Sequence, residues 1–160
     1  MNREILFKAK RIDNGEWIEG YLFQTKEYCF IFPKVTNGSY KISEKIMKFV
    51  NPCYEVDKDT ICQYIGLTDK NGNKIFEGDI LKGFEYPFLS NKPLSNEKEH
   101  NYFAEVVWFD NCPAFGLYTH KNPKSYVNGI SEGNTEFMEG WESEMWEVIG
   151  NIFDNPELLK

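Results

Sequence analysis

TICQYIGLTDKNGNKIFEGDILK, residues 60–82, holds two apolar strand signals joined by the clearest turn chemistry in the chain. Ile61, Gln63, Ile65 and Leu67 fall on one side of an extended segment and Cys62, Tyr64 and Gly66 on the other, the period of two that marks a strand. Apolar residues stand on both sides, which predicts a strand largely buried on both faces. Asn71 and Gly72 are the pair that most readily accepts positive φ, so a tight reversal is expected between Thr68 and Lys74, with Ile75 and Phe76 returning along the first strand. Gly78 permits a sharp bend between Glu77 and Asp79, ahead of a third apolar run at Ile80 and Leu81.

The run QYIGLTDKNGNKIFEGDIL, residues 63–81, resembles the signature of the YopX family of phage and prophage proteins. Two other places agree with it. The opening REILFKAK, residues 3–10, followed by Trp17, is similar to that family's amino-terminal strand pair, and WEVIGNIFDNPELL, residues 146–159, resembles its carboxy-terminal ending. The resemblance spans nearly the whole chain in the expected order and departs mainly over residues 85–101 and 120–140. It implies a small, mostly β protein encoded by mobile elements, with no activity established for the family and hence no catalytic residues to carry over. The structural signature it marks is Gly66, Asp69, Asn71, Gly72, Gly78, Asp79, Gly150, Asn151 and Pro156.

Length and composition set bounds. The 160 residues read as a single domain, with an amino-terminal hairpin region over 1–59 and the remainder over 60–160. A hydrophobic content of 41% with 16% aromatics excludes a generally disordered chain. A net charge of -7 disfavours general nucleic-acid binding, which draws most of its affinity from Lys and Arg releasing counterions. Two local basic clusters remain, Lys8 with Lys10 and Arg11, and Lys41 with Lys45 and Lys48; a solvated face is the plainer account of both. No apolar stretch approaches membrane-helix length and the start lacks a secretory h-region, so a cytoplasmic setting in a bacterial host is expected. Cys29, Cys53, Cys62 and Cys112 show no C-x-x-C spacing and read as free thiols in or near the core.

Along the chain, Glu4–Lys10 and Glu16–Phe23 read as a β-hairpin around Asp13, Asn14 and Gly15. Tyr28–Phe32 follows as an aromatic strand, Asn37 and Gly38 as a turn, and Tyr40–Ile42 as a strand. Ser43–Val50 has a competing helical period. Glu55–Thr60 reads as a polar, exposed connection. Residues 83–101 and 120–140 read as long loops, with strands at Tyr102–Asp110 and Phe115–Thr119 between them. A final strand is expected at Trp146–Asn151, then a short helical turn opened by Pro156. The architecture predicted is mainly β, antiparallel hairpins forming a partly open, SH3-like small barrel from residues 60–119 and the carboxy-terminal strand.

Chemistry is sparse in the sequence. His100 and His120 stand in predicted loops outside any nucleophile or metal-ligand motif, and no phosphate-binding or dinucleotide fingerprint is present. Asp69, Asn71 and Asn73 begin like a calcium loop, but Lys74 and Ile80 stand where that loop needs glycine and a bidentate glutamate. Asp79 reads as an acceptor of backbone N–H bonds at its bend. No cofactor is expected. The acidic-aromatic segment with Met138, Trp141, Met145 and Trp146 is a candidate partner surface, against the plainer account that its Trp and Met residues pack in the core. The leading expectation is a non-enzymatic accessory protein that associates with itself or with a host or phage protein. The alternatives are a nucleic-acid-binding small barrel and, last, a metal-dependent hydrolase built from scattered carboxylates with His100 or His120.

Overall fold

The computed structural model describes residues 4–34, 53–84, 101–109, 114–119, 135–137 and 145–159. Expectations at Asn37–Val50, Met138, Trp141, His100, His120 and Cys112, and over most of the two long loops, lie outside them. The strands are β1 (Phe7–Lys10), β2 (Trp17–Gln24), β3 (Cys29–Pro33), β4 (Tyr54–Glu55), β5 (Cys62–Thr68), β6 (Lys74–Phe76), β7 (Asp79–Phe84), β8 (Asn101–Phe109), β9 (Ala114–Thr119), β10 (Thr135–Phe137) and β11 (Glu147–Asn151). They form two antiparallel sheets, ordered β4-β3-β2-β1-β5-β6 and β10-β9-β8-β7-β11. Among the described residues the only helical pieces are 3-10 turns, including Lys58–Thr60 and Pro156–Leu159, and neither sheet closes into a barrel. The chain divides into two compact units, Met1–Tyr64 and Ile65–Lys160.

In the first unit, Gly15 takes φ +73 in the β1–β2 reversal. Phe7 then stands opposite Gly20 and Lys10 opposite Trp17. Alternation along these strands turns Ala9, Cys29, Ile31 and Val56 into one buried cluster, with Phe7, Ile18, Leu22 and Ile61 packed around it. The connection after β4 is less exposed than its polar sequence predicts. Val56 is buried, and so is Thr60, whose hydroxyl is satisfied by donating to Asp57 O and accepting from Lys10 N.

In the second unit, Ile75, Leu81, Ala104, Val106 and Leu117 are buried together, flanked by Ile65, Leu67, Trp146 and Val148. Strands β7, β8 and β9 run as a meander, and β11 adds to the open side of β7 with a bulge between Val148 and Gly150. Within the long loop expected at 120–140, Thr135–Phe137 pairs with β9 as an edge strand; three residues are too few to show a period in sequence. Strand β5 is buried on both sides only from Cys62 to Tyr64, since Gly66 and Thr68 are exposed.

Gly78 sits at φ +74, and its N–H donates to Val106 O while its carbonyl accepts from Ile152 N. A methyl group there would also meet the Ile152 side chain at 3.4 Å. Gly78→Ala is therefore expected to lose about 1–2 kcal/mol from the left-handed backbone alone. The check is the urea midpoint; a midpoint equal to that of the unchanged protein would contradict this account of the bend.

Candidate functional site

Two buried carboxylates organise the 69–79 region. Asp69 is 4% exposed, and its Oδ1 accepts from Asn71 N and Asn73 N, both at 2.8 Å. Its Oδ2 accepts from Asn73 Nδ2 at 3.1 Å and from Val148 N, on β11, at 3.0 Å. Burial pushes this carboxyl up, but the donors from Val148, Asn73 and Asn71 outweigh it and hold the group below its ordinary value. Lys70 N donates to Trp146 O, and the Lys70 ammonium pairs with Glu147 at 2.6 Å, so the turn and the last strand are joined at several points. Both Asp69 oxygens are thus engaged in holding a hairpin turn, with Gly72 at φ +82. Asp79, 1% exposed, accepts from Phe76 N at 2.8 Å across its bend.

The other signature positions also act on backbone. Gly66 stands in β5 at φ +94. Asn151 Oδ1 accepts from Phe153 N and Asp154 N, which shapes the turn before Pro156. Gly150 leaves room for Asn155, whose Oδ1 would lie 2.5 Å from an added Cβ. Of the acidic-aromatic segment, Met145 is exposed, while Trp146 is half-buried on the second unit's core with its ring 2.7 Å from where a Cβ on Gly83 would sit.

Sequence reasoning missed the outer face of the β2–β3 hairpin. Tyr21, Phe23 and Tyr28 are 50%, 54% and 50% exposed. Phe23 stands opposite Phe30 and Tyr21 opposite Phe32 in the antiparallel register, which puts all four on one side of the sheet. The Tyr28 and Phe30 rings stack at 6.3 Å. Leu22 and Ile31, one step along, belong to the core side. The signal was available: aromatic residues on the side of the strand opposite Ile18 and Leu22 mean that a strand apolar on both faces has only one face to bury in the core.

Near the start of β2 the aromatics are overlaid by cations. Lys8 and Lys10 bring their ammonium groups to 5.1 and 5.5 Å from the Trp17 ring, and Arg11 lies 4.0 Å over Tyr54. Arg11 also pairs with Asp13, whose carboxylate holds the guanidinium up while being held down itself. A surface cavity of ≈ 540 Å³ beside them is lined by Lys10, Arg11 and Lys58 and by Glu27, Glu55 and Asp57, three charges of each sign. Among the described residues no three His, Cys, Asp or Glu side chains gather as metal ligands, and no helix is long and apolar enough to cross a membrane.

The YopX family model, described as YopX protein, matches residues 7–160. The chain belongs to the YopX family. Among solved structures, it is similar to protein EF1440 from Enterococcus faecalis, at 23% identity and a TM-score of 0.49, over 99% of this chain and 100% of that one. No curated protein matches it.

For this YopX chain, the lowered Asp69 value has a definite sign. A carboxyl held below its unfolded value of about 3.9 contributes stability that is present above that pH and lost as pH falls through the folded value. Asp69→Asn is expected to lose about 1.5–3 kcal/mol at neutral pH, the range for hydrogen bonds to a charged group. It should also flatten the acid limb of the stability curve. Denaturant midpoints measured from neutral pH down to acid read both effects, and an unchanged acid limb would refute the role given to Asp69.

Proposed function

We propose that this YopX protein is a non-enzymatic, phage- or prophage-encoded accessory protein that works through protein association in the cytoplasm of a bacterial host. The observation that carries the reading is the aromatic face of β2 and β3, where Tyr21, Phe23 and Tyr28 keep about half their surface open. Tyr and Phe concentrated on one strand face are the residues that protein interfaces enrich. The engagement of Asp69 and Asp79 in turn hydrogen bonds supports the non-enzymatic part, because these buried carboxylates already have structural work. The β7-β8-β9 meander with β11 added to its side supports an SH3-like arrangement of the second unit.

Lys8, Lys10 and Trp17 favour a second reading, a nucleic-acid-binding face that combines cations with a stacking ring. Charge weighs against it, since residues 1–64 carry ten Lys and Arg against nine Asp and Glu, a net of only +1. A low-salt titration with single-stranded oligonucleotides, followed by Trp fluorescence, separates the two readings.

Under the association reading, light scattering of the purified protein gives a mass above the monomer, or affinity capture from host lysate retains a partner that the double variant Tyr21→Ser with Phe23→Ser loses. A strict monomer that captures nothing would overturn it.

A further inference from the structure

We infer that the outer face of the β2–β3 hairpin pairs with the same face of a second copy of this chain, an inference that rests on the association reading above and names its partner. The open aromatic area is close to what a dimer contact needs. An aromatic side chain buries about 150–250 Å² when covered, so Tyr21, Phe23 and Tyr28, each about half open, offer roughly 300 Å² before Phe30 and Phe32 add their smaller shares. A standard interface takes about 800 Å² from each partner, about 60% of it apolar, so this one face supplies most of the apolar area required.

Charge favours the same unit. Residues 1–64 hold ten Lys and Arg against nine Asp and Glu, net +1, whereas residues 65–160 hold eight against sixteen, net -8. Two copies meeting through the acidic unit would set like charges together. Meeting through the first unit brings no such penalty, and Tyr21, Phe23, Tyr28, Phe30 and Phe32 are themselves uncharged.

The face is also suited to meeting its own copy. A two-fold contact sets one patch against itself, which suits a uniform aromatic row and would be poor for a patch of one charge. Tyr21 and Tyr28 suit its rim, because each covers apolar area while keeping its hydroxyl in water.

The test is sedimentation equilibrium from about 1 to about 100 µM, which brackets a micromolar dissociation constant. The unchanged protein should pass from monomer to dimer over that range. Phe23→Lys, which puts like charges face to face at the centre, should stay monomeric throughout, at least about 100-fold weaker. Ile12→Lys, at an equally exposed apolar residue in the β1–β2 turn, should dimerise as before. Tyr21→Lys serves as the second variant if Phe23→Lys loses its far-ultraviolet dichroism. Radical footprinting of the unchanged protein needs no substitution: modification of Phe23 and Tyr28 should fall at the higher concentration. A monomer at every concentration overturns the inference while leaving the association reading to a different partner. A dimer that survives both lysine substitutions, or equal footprints at both concentrations, overturns the face and leaves association intact.

Discussion

The carboxylate of Asp69 joins two pieces of chain that are 79 residues apart, and the second unit is arranged around that junction. Its Oδ1 closes the turn between β5 and β6, and its Oδ2 reaches the Val148 N–H at the start of β11. A buried carboxylate is costly unless its lone pairs are taken, and here three backbone N–H groups and the Asn73 amide take them, so the charge becomes a fixed point from which strands leave in set directions. Once β11 is pinned beside Asp69, its pairing with β7 follows, and Trp146 and Val148 come to rest on the core of Ile75, Leu81 and Val106.

Gly78 and Asp79 do for the next bend what Gly72 and Asp69 do for the turn. A positive-φ glycine gives the direction, and an aspartate accepting backbone N–H bonds holds it. The pairing is economical because each element solves a different problem. Glycine permits a backbone that other residues resist, and the carboxylate removes the unsatisfied donors that such a backbone creates.

These features were legible in sequence because they are local. Asn71 with Gly72 and Glu77-Gly78-Asp79 specify their own geometry within a few residues, and the alternation of Ile61 to Leu67 marks β5 directly. Sheet order was less legible, because pairing β11 with β7, or tying Arg11 to Val56, joins segments whose sequences carry no mark of one another. The β10 strand is defined by its neighbour β9 rather than by its own three residues. Exposure was the least legible quantity. Tyr21 and Phe23 have the composition of core residues, and although alternation puts them on the side away from Leu22, their own strand does not say which side the core takes.

The residues that shape the 69–79 turns and the chain after β11 therefore speak to architecture. Asp69, Gly72, Gly78, Asp79 and Asn151 spend their polar groups or their conformational freedom on backbone turns, and a group committed in that way is poorly placed to meet a ligand. Binding needs surface that the fold does not use. The aromatic side of β2 and β3, where Tyr21, Phe23 and Tyr28 are about half exposed, is such a surface, and it lies in a different unit from the 69–79 frame. Under the association reading the turn geometry and the partner contact rest on separate sets of side chains, so substitutions at Tyr21, Phe23 or Tyr28 change what the surface offers while the Asp69 junction continues to hold the turn.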